Sequence, residues 1–351
     1  MHNKNRLFAD GSRGTFEKIS ENLAWIKQEF PDYMQKIRFN TVLDPTQDLD
    51  CINTFFMESD TFSEMNVNAN SLDDTGLSQK FWAADSFITQ SRHEDLKLFL
   101  HYLGRYPGEQ ISKLTLQRNS VYTNLNQSMY DVLFLSDVIS PGGPCIPGQK
   151  RLFVDVAGTF YPCERVPELP SARVGHVDSG FDYENARKIL DIGALTEESC
   201  KNCWAIRHCT ACFKFACGKE GLSAEAKLAN CVKVKQATFN NLFSYITFLE
   251  AGTLAVQNQS AYNGASYTAL SPSELLVQVK AILSQIFEID SAALGDLQEN
   301  SCLLDPQFSL SADIMLYVIL ALEQFFGRRF DSSILEKNHY VTIADMALAF
   351  V

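Results

Sequence analysis

Long apolar runs are missing from this chain of 351 residues. The longest, Ile314 to Leu322, falls far short of the roughly 20 residues a helix needs to cross a bilayer. Basic charge is scarce too: 30 Lys and Arg stand against 42 Asp and Glu, a formal charge of −12. That balance argues against a nucleic-acid partner, whose phosphates are bound by Lys and Arg, and against docking on an anionic membrane. The opening stretch, MHNKNRLFADGSRG, lacks the apolar segment of a secretory signal. No phosphate-cradling glycine loop and no Ser–His–Asp arrangement can be discerned. A cytoplasmic location is therefore expected, and in that reducing setting clustered cysteines are metal ligands more often than disulfides.

What is present is ordinary globular protein, 46% hydrophobic and 21% charged, with ten cysteines. The length is enough for two or three domains. Residues 1–13 are polar and are expected to fray. Thr15 can cap a helix in which Phe16, Ile19, Leu23, Ile26 and Phe30 share a face, with Pro31 as its stop. Ile37, Phe39, Thr41 and Leu43 alternate with polar residues as a strand does. A helix over Asp48 to Met57 follows, then a second strand with Met65, Val67 and Ala69 on one face and Asn66, Asn68 and Asn70 on the other. Helices are expected near 81–104 and 127–139. Helix and strand alternating in this way imply βα units on a parallel sheet. Two strands cannot close a barrel, so 1–139 reads as part of a sheet layer. In a barrel the three asparagines could line the mouth; otherwise they form a solvated strand face.

Residues 141–148, PGGPCIPG, form a loop, and Arg151–Val156 and Thr159–Cys163 read as two strands around a turn at Ala157–Gly158. One short helix is expected within 168–199 and a longer one near 220–251. The small, polar segment 252–271 reads as a linker. From 272 the chain turns helical: Leu275, Leu276, Val279, Ile282, Leu283 and Ile286 share a face, a second helix over 311–326 stops at Gly327, and a third covers 342–350.

Eight of the ten cysteines lie between 145 and 231. Cys145 is followed by twelve residues, Gly158, four residues and Cys163; then come Cys200-x2-Cys203-x5-Cys209-x2-Cys212, Cys217 and Cys231. A two-residue gap lets two sulfurs point into one site. Eight thiols suffice for two four-ligand sites, and both iron–sulfur clusters and tetrahedral zinc accept four cysteines. Spacing leaves both open. Cys51 and Cys302 read as ordinary buried thiols. His208, beside Cys209, is a candidate ligand or a polar residue flanking the site. Asp155 and Glu164 are candidate acid or base groups or plain surface carboxylates.

The cysteine pattern resembles the SPASM domain that follows the catalytic barrel in radical-SAM enzymes maturing ribosomally made peptides, bacteriocins among them. The stretch GTFEKISENLAWIKQEFPDYMQKIRFNTVLDPTQDLDCINTFF is similar to the latter half of that barrel. The resemblance spans roughly residues 10–240. It implies an α/β half barrel over 1–139, a Cys-rich loop and β-hairpin SPASM domain over 140–251, and two auxiliary [4Fe–4S] clusters. By the family pattern Cys145, Cys163 and Cys212 or Cys217 hold the first, and Cys200, Cys203, Cys209 and Cys231 the second. The family spaces the third and fourth cysteines of the dense run by three residues. Here the gap is two and Cys217 is added, so either Cys212 or Cys217 could complete the first cluster. If one of them is not a ligand, an iron stays open for a substrate thiolate.

The family's Cys-x3-Cys-x2-Cys run, which holds the cluster that cleaves S-adenosylmethionine, is absent from this sequence, and so is a Gly-Gly-Glu-like motif. S-adenosylmethionine is expected only if a split-off half or a partner chain supplies that part. Residues 272–351, through ALEQFFGRRF and VTIADMALAFV, resemble a small all-α, four-helix acyl carrier protein. The serine that would bear phosphopantetheine falls in register on Ala312, with Ser309 and Ser311 near but out of register, so no prosthetic group is expected and a docking role takes its place. The resemblance implies part of a peptide maturase whose partner is a precursor peptide, with a zinc-binding peptide-recruitment scaffold as the alternative.

Overall fold

In a computed structural model, the structure describes residues 2–72, 80–117, 145–149, 151–259, 270–290, 292–337 and 340–350. The helix expected over 127–139 lies outside them. The chain divides into two compact units, Met1–Tyr122 with Ile246–Val351, and Thr123–Tyr245.

In the first unit α1 (Phe16–Glu29), β1 (Arg38–Leu43), α2 (Leu49–Glu58), β2 (Asn66–Ser71) and α3 (Asp85–Tyr102) follow in order. Asp48 caps α2 by accepting from the Cys51 amide. Thr15 precedes α1 but makes no side-chain cap; its hydroxyl meets the His2 ring at 2.9 Å, where the short helix His2–Asn5 replaces the expected frayed start. Pro31 opens a further turn, Pro31–Met34, because a proline suits the first helical position.

Strands β1 and β2 pair in parallel, Arg38 opposite Asn66 through Leu43 opposite Ser71. One face packs under the helices: Leu43 and Val67 join Leu23, Ile52 and Phe56 in one core. The other face carries Arg38, Asn40, Asn66 and Asn68, all exposed, with the Asn68 amide donating to Asn40 Oδ1 at 3.2 Å. Parallel sheets are normally covered on both faces; here, among the described residues, one face is bare. The outer edge of β2 is blunted where Gln117 Oε1 accepts from the Ala69 amide at 2.9 Å.

The C-terminal residues were expected to form a separate domain. They share a core with α3 instead. Leu96, Leu98, Phe99 and Leu100 pack in one cluster with residues of α8 (Pro272–Phe287), α9 (Ala312–Phe326) and α10 (Ile343–Ala349). At about 25 cal/mol per Å² of apolar surface, such burial is a large stabilising term. It is reinforced by a buried ion pair between Arg105, after α3, and Glu323 on α9. Capping boxes open α8 (Ser271 with Glu274) and α10 (Thr342 with Asp345), and Gly327 ends α9 at φ +64°.

In the second unit β3 (Phe153–Val154) and β4 (Thr159–Tyr161) form the expected hairpin. The single short helix expected within 168–199 is a richer arrangement. Strands β5 (Gly175–His176) and β6 (Gly180–Phe181) extend the hairpin to four antiparallel strands, before α4 (Tyr183–Leu190) and α5 (Glu197–Lys201). Two-residue strands that begin at glycine are too short to show a period of two. Next come α6 (Ala224–Ala229) and α7 (Cys231–Gln259). Helix α7 runs eight residues into the segment expected to be a linker; 260–269 lie outside the described residues. The boundary between the two units falls within α7. Among the described residues no helix is long and apolar enough to cross a membrane.

Candidate metal centre

The hairpin that delivers Cys163 depends on Gly158. Its φ of +88° suits glycine alone, and a Cβ there would lie 2.6 Å from Val177 Cγ2. Asp155 ties the same turn, its Oδ1 accepting from the amides of Ala157 at 2.9 Å and Thr159 at 2.8 Å. Those bonds hold the carboxyl below the usual range, the Thr159 amide contributing most. Asp155 is thus a turn-forming carboxylate, not a candidate acid. Glu164 pairs at the surface with Arg151 at 3.0 Å.

All ten cysteines are free thiols. Cys145 is exposed; Cys163, Cys200, Cys203, Cys209, Cys212, Cys217 and Cys231 are half-buried. Their electrostatic neighbourhoods sort them into two sets. Burial pushes the Cys212 thiol up, and neighbouring Cys145 and Cys163 push it further. Cys217 is pushed up to about 11, by burial first and by Cys212 in addition, while Ser171 opposes the shift. Cys231 is raised by burial and then by Cys200, Cys209 and Cys203. Cys212 thus neighbours Cys145, Cys163 and Cys217, and Cys231 neighbours Cys200, Cys203 and Cys209. The first set unites the loop, the hairpin and the end of the dense run; the second unites the dense run with the start of α7.

Among the described residues no three His, Cys, Asp or Glu side chains converge tightly enough to hold one metal ion. A tetrahedral zinc would require sulfurs roughly 3.8 Å apart, given Zn–S bonds of about 2.3 Å. A four-iron cluster makes a looser demand, because each thiolate binds a different iron. Thiolates are the donors that both structural zinc and iron–sulfur clusters take. Binding would drive off the thiol protons, so uptake is favoured by rising pH.

His208, next to Cys209, is held below its ordinary value, by burial first and by Arg207 second. Cys302, expected to be a buried thiol, is partly buried, and burial raises it. Cys51 does not: it is exposed, because α2 turns Leu49, Ile52, Asn53 and Phe56 inward and leaves position 51 outside.

Sequence reasoning missed Lys227. It lies on α6, 3% exposed, donating to the Ile192 carbonyl at 2.7 Å and to Thr196 Oγ1 at 2.8 Å. A lysine in AEAKLANC carries no mark of burial; only its position one helical turn before Cys231 could have drawn notice. No protein-family model, no curated protein and no solved structure matches this chain.

Proposed function

We propose that the Cys-rich unit is an iron–sulfur module holding two [4Fe–4S] clusters, the first on Cys145, Cys163 and Cys212 or Cys217, the second on Cys200, Cys203, Cys209 and Cys231. Within that class, the chain acts as the C-terminal part or a subunit of a radical-SAM/SPASM maturase working on a ribosomally made, cysteine-containing peptide in the cytoplasm. The observation that supports the reading is that thiols from remote parts of the sequence neighbour one another, Cys212 with Cys145, Cys163 and Cys217, and Cys231 with Cys200, Cys203 and Cys209. The helix-backed parallel pair with its bare asparagine face also fits the inner surface of a barrel fragment.

When bound, such clusters supply electron transfer and, at any iron left without a protein ligand, a site for a substrate thiolate. The chain's own residues hold and orient. The turn built on Asp155 and Gly158 fixes Cys163. Cys212 and Cys217 both adjoin the first set, so one of them could leave a ligand position for the peptide. The sequence has no Cys-x3-Cys-x2-Cys run, so radical initiation falls to another polypeptide segment or partner chain.

Anaerobic reconstitution with iron and sulfide tests this. About eight irons and about eight sulfides per chain are expected, with broad visible absorbance. Colourless protein with about two zincs and no iron would replace the reading with that of a zinc-bearing peptide-recruitment scaffold.

A further inference from the structure

We propose that Lys227 and Thr196 form a counter-charge relay onto the Cys200 sulfur, making them positioning residues of the second thiol set. The inference rests on the cluster reading above.

A lysine is seldom fully buried unless it is paired with an opposite charge. Lys227 is buried, yet both its acceptors, the Ile192 carbonyl and the Thr196 hydroxyl, are uncharged. Glu197 and Glu198, next to Thr196 in sequence, are engaged at the surface by Lys201 instead. A cation desolvated in this way calls for an anion nearby.

The hydrogen bonds point to that anion. An ammonium can only donate, so Thr196 Oγ1 accepts from Lys227 and keeps its own proton to give. The atom in line to receive it is Cys200 Sγ, 3.3 Å away. Lys227 meets the same set through its backbone as well: its carbonyl accepts from Cys231 Sγ at 3.7 Å. Lys227 thus reaches Cys200 through Thr196 and Cys231 through its own main chain. When the four thiols give up their protons to iron, the set becomes anionic and Lys227 supplies the missing counter-charge. A hydrogen bond to a ligating sulfur, with a cation behind it, stabilises the more negative, reduced cluster and raises its potential. In the first set a hydroxyl, that of Ser171, also stands beside Cys217, but no lysine bonds to it among the described bonds; Cys217 donates to the Phe213 carbonyl at 3.7 Å.

The test is redox titration of the reconstituted full chain, followed by electron paramagnetic resonance. Thr196→Val removes the donated proton and keeps the shape; Thr196→Ser restores the proton. One of two potentials is expected to move negative in Thr196→Val and to return in Thr196→Ser, while the other stays put as an internal reference. Lys227→Met is expected to lose about half of the iron, one cluster of two, or to move the same potential further. Unchanged potentials in Thr196→Val, on a wild type that binds clusters, would overturn the relay alone. A wild type that takes up no iron or sulfide would overturn both the cluster reading and the relay.

Discussion

Glu323 is 1% exposed and does three jobs with one carboxylate. Its Oε2 accepts from Arg105 Nη1 at 3.1 Å, its Oε1 pairs with Arg105 Nη2, and the same Oε1 accepts from the Phe330 amide at 2.8 Å. Arg105 in turn donates to the Phe330 carbonyl at 3.1 Å. Removing one partner leaves a buried charge alone, so Glu323→Ala is expected to cost about 3–5 kcal/mol in urea unfolding. An apolar pair of similar volume in place of both residues should recover most of that loss; equal destabilisation by the single and double changes would contradict the argument. Tyr102 stacks edge-on against Phe248 at 5.3 Å, and burial raises its phenol from 10 to about 12. A raised folded value means the folded state holds the proton more tightly. The contribution is fully present below pH 10 and is lost as pH climbs through 12. Tyrosinate absorbance and circular dichroism followed together should show this phenol ionising with the loss of helix, not before it.

At the scale of elements, local chemistry and long-range packing were unequally legible. The starts of α8 and α10 and the stop of α9 were readable because Ser271, Pro272, Thr342 and Gly327 act on their nearest neighbours. The hairpin around Gly158 was readable for the same reason. Strands β5 and β6 were not, nor was the burial of Lys227, since neither leaves a period in the sequence. Spacing alone displayed the eight thiols without dividing them; the division came with the family resemblance, and the fold adds that Cys212 neighbours Cys145 and Cys163 while Cys231 neighbours Cys200, Cys203 and Cys209. Helix α9 also bears on the carrier resemblance. Ala312 opens it at 4% exposure, with Ser311 just before it and Ser309 at φ +54°. The chain incubated with coenzyme A and a phosphopantetheinyl transferase is therefore expected to gain no mass. Modification of Ser309 or Ser311, read by mass spectrometry, would reverse that conclusion.

Among the described residues of the molecule, the parallel sheet stops at two strands. Leu43 lends its carbonyl to the β2 side, so by alternation Arg38, Asn40 and Val42 aim their backbone groups at the other edge of β1, which no described strand pairs. Val42 is 55% exposed there. Unpaired edges invite further strands, and the protein is expected to associate as concentration rises. Val42→Lys should lower the associated fraction in light scattering without moving the melting temperature; association that persists unchanged would place the contact elsewhere. The order in which the chain is made follows from the division into units. The unit bearing the cysteines is one unbroken stretch, Thr123–Tyr245, set inside a unit built from both flanks. At about 5–20 residues per second of synthesis, the ribosome completes the cysteines before it has made α9, the helix that α3 awaits. If the proposed clusters form, iron would be inserted into a nascent chain whose other unit is still incomplete, and a shortage of iron would be felt before the last helix leaves the ribosome.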